Sequence, residues 1–187
     1  MKLNNSLKGS VCMRVPFARP DAYYSSIYAI GWPALRQKGY RLVLLDIDNT
    51  LMPHGRHEAT PAVRQLLREL KAAGLVPVIL SNARTERAET VGQPLQVLTV
   101  GNAGKPGIRG IKQACRETGL PAAQTVLIGD QLFTDMLAGW RGGCRTILVR
   151  RLSAEEPWYI HLKRLLELPW RWICVGRRCF DHLPNLT

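Results

Sequence analysis

Apolar positions along this chain fall into two rhythms. Short unbroken runs come at Leu42-Val43-Leu44-Leu45, Leu75-Val76-Pro77-Val78-Ile79-Leu80, Val97-Leu98-Thr99-Val100, Thr125-Val126-Leu127-Ile128 and Arg145–Val149. Runs of this length without polar alternation predict strands buried on both faces. Pro77 is a mild objection to a central place for its strand, because proline removes one ladder donor. Between the runs the spacing becomes helical: Val63, Leu66, Leu67 and Leu70 share one face, as do Ile108, Ile111 and Cys115. Thr60 reads as the N-cap of the former helix, with Pro61 at its first position and Gly74 as its stop. Further helices are expected from about Arg84 to Val91, from Lys105-Pro106 to Gly119, and around Asp135–Trp140, with a short aromatic-rich helical stretch in residues 21–40. Strands alternating with helices predict an α/β fold: a mostly parallel five-stranded sheet, doubly wound, with right-handed crossovers.

The polar residues that interrupt this pattern collect where strands end. The first strand runs into Asp46 and Asp48, the second into Ser81-Asn82, and the fourth into Gly129-Asp130, with Asp135 five residues further on. Lys105 follows the third strand. In a parallel sheet these ends share one edge, the edge where open α/β sheets bind ligands. Paired carboxylates beside a buried strand are costly to desolvate unless something compensates them. One hydroxyl, one lysine and four aspartates around a crevice suit a hard cation and a phosphoryl group. Mg²⁺ in particular prefers one or two carboxylates together with phosphate oxygens.

Composition adds the question of partners. The 187 residues suit one domain with terminal extensions, expected as a basic, aromatic N-terminal extension with a short helix (1–40), a core (41–150) and a basic, Trp-rich C-terminal helix and tail (151–187). Lys and Arg number 26 against 14 acids, a formal net charge of +12, and three quarters of the excess lies outside residues 42–149. Such a surface suggests an anionic partner, an acidic membrane face or nucleic acid, with a merely solvated basic surface as the alternative. Five cysteines with no CxxC pair argue against a disulfide framework and a zinc cluster, and fit a reducing, cytoplasmic compartment. No apolar run approaches the ~18 residues that a bilayer-spanning helix needs. The first twenty residues carry four basic side chains and no acid, and are expected as a basic arm, with a short targeting segment as the alternative.

The strand-end residues together resemble the signature of haloacid dehalogenase (HAD) superfamily phosphatases: DxDxT, a hydrophobic strand ending in Ser or Thr, a Lys, then GDxxxxD. Here these are Asp46-Ile47-Asp48-Asn49-Thr50, Ile79-Leu80-Ser81-Asn82, Lys105, and Gly129-Asp130 through Asp135. The resemblance implies a HAD-like Rossmannoid three-layer sandwich and a Mg²⁺-dependent phosphomonoester hydrolase. By the family pattern, Asp46 is the nucleophile, forming an aspartyl-phosphate. Asp48 is the general acid and base, with a pKa closer to working pH than a free aspartate. Asp46, Asp48 (through its backbone carbonyl) and Asp130 hold the metal, and Asp135 braces the metal shell or Lys105. Ser81, Asn82 and Lys105 take the phosphoryl oxygens, and Thr50 positions the Asp48 carboxylate by a hydrogen bond.

HAD phosphatases usually select substrates with a cap domain inserted after the first motif or between the second and third. Both gaps here are filled by ordinary elements, so no cap is expected, which is the uncapped subclass III. An open site suits a large substrate: a protein, a nucleic-acid end or a lipid head group. The basic ends and the tail around Trp158, Leu162, Leu165, Trp170 and Trp172 favour a phospholipid at an anionic membrane surface, held peripherally on its inner face. The tail alternatively packs against the sheet edge. The layout is similar to the YqeG family, related to phosphatidylglycerophosphate phosphatases, and implies release of phosphate from phosphatidylglycerophosphate. Alternatives are a soluble phosphatase for sugar phosphates or nucleotides, and a nucleic-acid-associated basic protein. His54 and His57 are expected in an exposed loop, with contact to substrate as the alternative. Arg84 and Arg87 are either a solvated helix face or anion contacts at the entrance.

Overall fold

The computed structural model describes residues 19–56 and 58–153. The basic arm, His57 and the Trp-rich tail lie outside the described residues. Six parallel strands form one sheet: β1 (Ala22–Tyr24), β2 (Leu42–Leu45), β3 (Val76–Leu80), β4 (Leu98–Val100), β5 (Thr125–Gly129) and β6 (Arg145–Val149), in the order β1-β6-β5-β2-β3-β4. The helices are α1 (Trp32–Gln37), α2 (Pro61–Ala72), α3 (Thr85–Gly92), α4 (Arg109–Thr118) and α5 (Leu137–Gly142).

Alternation along β2 divides the core in two. Val43 and Leu45 face α1, α2 and α3, packing with Leu35, Val63, Leu66, Leu70 and Val91. Leu42 and Leu44 face the opposite way, with Ile111 and Ala114 of α4 and Ala138 of α5. The result is the expected three-layer sandwich. All four β2 side chains are fully buried, and each such side chain contributes about 1.5–3 kcal/mol of burial. The strand that delivers Asp46 is therefore firmly anchored in the core.

Register brings the strand ends level. Leu45 pairs with Ile79 on one side and Ile128 on the other, and Asp46 N–H continues the ladder to the Ile128 carbonyl at 3.0 Å. Pro77 is tolerated in the interior strand β3 because β4 begins to pair only opposite Val78. The Thr60 cap forms as expected, Oγ1 accepting from Val63 N–H at 3.3 Å with Pro61 in the first turn.

The sheet has one strand more than expected. Residues 22–24, which fall in the stretch read as helical, form the edge strand β1, paired with Ile147–Val149. Asp21 secures that pairing by accepting from Thr146 N–H at 2.8 Å and Thr146 Oγ1 at 2.9 Å. Two helices also start later than expected. α4 begins at Arg109, leaving Lys105 in the turn before it, and a π-helical turn over Leu132–Met136 precedes α5. From Asn49 to β3 the described chain holds a loop and α2, and from Ser81 to Lys105 it holds α3, a 3₁₀ turn and β4, so no cap is inserted.

Candidate active site

Asp46 leaves the end of β2 with 6% of its surface exposed, and Lys105 reaches it from the turn after β4. Lys105 Nζ donates to Asp46 Oδ1 at 2.6 Å, Asp135 Oδ1 at 2.7 Å and the Leu80 carbonyl at 2.9 Å. All three ammonium protons are thus used, and the buried cation is fully satisfied. Asp46 Oδ2 makes no hydrogen bond among the described residues and is the face left to a ligand.

Asp135 owes its place to local backbone. The π-helical turn aims its carboxylate back at β5, where Oδ2 accepts from Gln131 N–H at 3.1 Å. A Cβ at Gly129 would fall inside that carboxylate, so the glycine of the GD pair is what lets Asp135 approach. Asp46, Asp130 and Asp135 offer oxygen atoms within 4.8 Å of one another. Three buried carboxylates thus gather at one place, two of them bonded to the Lys105 ammonium. That all-oxygen donor set fits a divalent metal ion.

The charges at the centre feel this crowding. Burial pushes the Asp46 carboxyl up, Lys105 pulls it down, and Asp135 and Asp130 push it up again, leaving it at about 8. For Lys105, burial works against the charged form, but Asp135 and Asp46 outweigh it and the ammonium is held above its ordinary range.

Asp48 belongs to a different cluster. Its carboxylate turns to Arg87 of α3, which donates from Nη1 to Oδ2 and from Nη2 to Oδ1, both at 2.7 Å. Gly55 N–H adds a bond to Oδ1 at 3.2 Å, and His54 Nδ1 lies 3.3 Å from the same oxygen. Burial pushes the Asp48 carboxyl up, but Arg87, with help from His54 and the Gly55 amide, wins and holds it below the usual carboxylate range. This is opposite to the expected direction, because Arg87 supplies a bidentate cation. The expected hydrogen bond from Thr50 to Asp48 is not made: Thr50 Oγ1 is buried and has no partner among the described residues.

Ser81 accepts from Ala83 N–H at 3.1 Å, and its own hydroxyl proton has no acceptor among the described residues. The Asn82 side chain does something no motif suggested. Its Nδ2 donates to the Lys105 carbonyl and its Oδ1 accepts from Lys105 N–H, both at 2.8 Å, so it clamps the lysine's backbone from both sides. Asp46, Ser81, Asn82, Lys105, Asp130 and Asp135 thus meet at one sheet edge, with Asp48 beside them facing Arg87. Arg84 is exposed at the N-cap position of α3, while His54 is half-buried rather than exposed.

Comparison with known proteins follows the same lines. A HAD-hydrolase-like family model matches residues 102–159. A probable phosphatase of Bacillus subtilis, YqeG, is 32% identical over 151 residues, covering 81% of this chain and 88% of that protein. The phosphatidylglycerophosphate phosphatase 1 of Arabidopsis thaliana chloroplasts and mitochondria is 28% identical over 178 residues, 89% of this chain. The match spans about half, 51%, of the Arabidopsis protein. An uncharacterised protein of Listeria monocytogenes shares the fold, with a TM-score of 0.51 at 17% identity over 63% of this chain and 84% of that one.

Proposed function

The chain belongs to the HAD-type phosphatase family that includes YqeG of Bacillus subtilis, and on that footing we propose that it is a Mg²⁺-dependent phosphatase converting phosphatidylglycerophosphate to phosphatidylglycerol at an anionic membrane surface. That it is a phosphoric monoester hydrolase follows from the family. The observation that carries the mechanism is Lys105 bonded to Asp46 and Asp135 within the Asp46, Asp130 and Asp135 triad, in a site without a cap.

Asp46 attacks phosphorus through Oδ2 while Lys105 holds Oδ1, and the P–O bond to the alcohol breaks as the aspartyl-phosphate forms. Asp48, once turned from Arg87 and protonated, gives that proton to the departing alkoxide, then takes one from the water that hydrolyses the acyl phosphate and regenerates the Asp46 carboxylate. The Ser81 hydroxyl and the Asn82 backbone N–H receive the phosphoryl oxygens, and Lys105, its three protons held by Asp46, Asp135 and Leu80, contributes its charge beside them, with the buried Thr50 hydroxyl as a further donor to the substrate. Asp46, Asp130 and the Asp48 backbone carbonyl would hold the metal, braced by Asp135. When bound, Mg²⁺ supplies positive charge against the phosphoryl oxygens.

Three observations favour the lipid substrate. No cap is inserted among the described residues; the Arabidopsis relative, by name a phosphatidylglycerophosphate phosphatase, matches along 89% of this chain; and the net charge of +12 suits an anionic surface. No helix among the described residues is long and apolar enough to cross a membrane. The reading is tested by Mg²⁺-dependent phosphate release from phosphatidylglycerophosphate in vesicles, sugar phosphates and nucleotides. The lipid should be the preferred substrate. Good turnover of soluble esters with none of the lipid would replace it with the soluble phosphatase, and strongly salt-dependent RNA or DNA binding would favour the nucleic-acid reading.

A further inference from the structure

Asp48 presents both carboxylate oxygens to one guanidinium, each at 2.7 Å, and Oδ1 also accepts from the Gly55 amide. Bidentate Arg–carboxylate geometry of this kind is strong and specific. Yet Asp48 must turn an oxygen toward the leaving group, so in the productive complex the bidentate pair opens. A guanidinium fork matches phosphate as well as carboxylate, so a phosphate oxygen can take the place that an Asp48 oxygen gives up. The pair is only partly covered, with 22% of the Arg87 side chain and 18% of the Asp48 side chain exposed, so an incoming anion can reach it.

We propose that Arg87 is a specificity-determining residue that exchanges the Asp48 carboxylate for a second anionic group on the substrate, a phosphodiester lying beyond the scissile phosphomonoester. This deepens the phosphatidylglycerophosphate reading and rests on it, since that lipid carries such a diester three carbons from the monoester. Room for the rest of the molecule adjoins the pair. An open cavity of about 650 Å³ is lined by Met52, Pro53, Gly55, Arg56 and Ala59, and it shares Gly55 with the Asp48 contacts. Arg87 Nη2 lies 3.5 Å from the Arg56 carbonyl on the same loop. Among the described residues the cavity's charged lining residues are Arg56 and Glu58, one of each sign, which leaves the Arg87 fork as the anion-matching group beside it.

The test compares two soluble esters that differ in one anionic group: glycerol 3-phosphate, and the same molecule carrying a glycerophosphoryl group at its other end. Wild-type protein, Arg87→Gln and Arg87→Lys are assayed on both, alongside phosphatidylglycerophosphate vesicles. The wild type should prefer the diester-bearing ester in kcat/KM. Arg87→Gln should lower kcat/KM for that ester by roughly thirtyfold or more, chiefly through KM. Its effect on glycerol 3-phosphate should be smaller and fall on kcat. Arg87→Lys, which keeps the charge and loses the fork, should retain part of the preference and serves if the glutamine variant does not fold. Equal losses on both esters would confine Arg87 to positioning Asp48 and overturn the proposal. So would the absence of any wild-type preference, whether from equal rates or from no rate on the diester-bearing ester. If the soluble pair behaves as stated while the vesicles release no phosphate, the lipid reading fails and the role of Arg87 stands.

Discussion

Lys105 Nζ stands 2.6 Å from Asp46 Oδ1, joining residues 59 positions apart at the buried end of the sheet. The same ammonium is the counter-charge for Asp135 at 2.7 Å. Lys105→Met should therefore strand two carboxylates in a pocket where the lysine side chain itself is only 3% exposed. The expected loss is about 3–5 kcal/mol in chemical denaturation, the usual consequence of breaking a buried ion pair from one side. A divalent cation should recover part of it by binding the folded state, and phosphate release should fall sharply.

Gly129→Ala tests the packing that seats Asp135. The new methyl group would occupy the position of the Asp135 carboxylate. Overpacking of this kind costs about 1–3 kcal/mol, and the displaced carboxylate should lower both the affinity for a divalent cation and kcat. Titration calorimetry with the metal and a thermal melt read the two effects separately.

Asn82→Ala removes both 2.8 Å bonds to the Lys105 backbone. At about 0.5–1.5 kcal/mol each, their loss should be a modest change in the urea midpoint. The larger effect should be on kcat, because the lysine's backbone is no longer held from β3. Equal kcat in wild type and variant would make the clamp structural only.

In metal-free protein, stability should fall as the pH is raised. Burial leaves Asp46 at about 8 in the fold against an ordinary value of 3.8, so the folded state holds a proton that the unfolded chain releases first. That contribution is complete below the ordinary carboxylate range and disappears as pH passes through about 8. Denaturation midpoints in the presence of a chelator, taken between these limits, should slope downward, and Asp46→Asn should flatten them.

A feature is legible in the sequence according to the distance along the chain over which it is decided. Asp46, Ser81, Lys105 and Asp130 are placed by where buried strands end, and apolar runs mark those ends directly. β1 escaped notice because three residues carry no rhythm, and its existence depends on pairing with Ile147–Val149 far along the chain. The Arg87–Asp48 pair spans 39 positions and depends on which way the turn after β2 directs a side chain. The Asn82 clamp is equally silent, since asparagine after a strand is an ordinary turn residue. The close approach of Asp135 did leave a trace in Gly129, a glycine at the last position of a fully buried strand.

Phosphate release from phosphatidylglycerophosphate vesicles, with and without Mg²⁺, by wild type and by Asp46→Asn bears most directly on the mechanism. Wild-type protein should release phosphate only with the metal present. Asp46→Asn, folded and at equal concentration, should be reduced by roughly 10³-fold or more, as loss of a nucleophile requires. Undiminished release by Asp46→Asn would contradict nucleophilic attack by Asp46 and the aspartyl-phosphate with it.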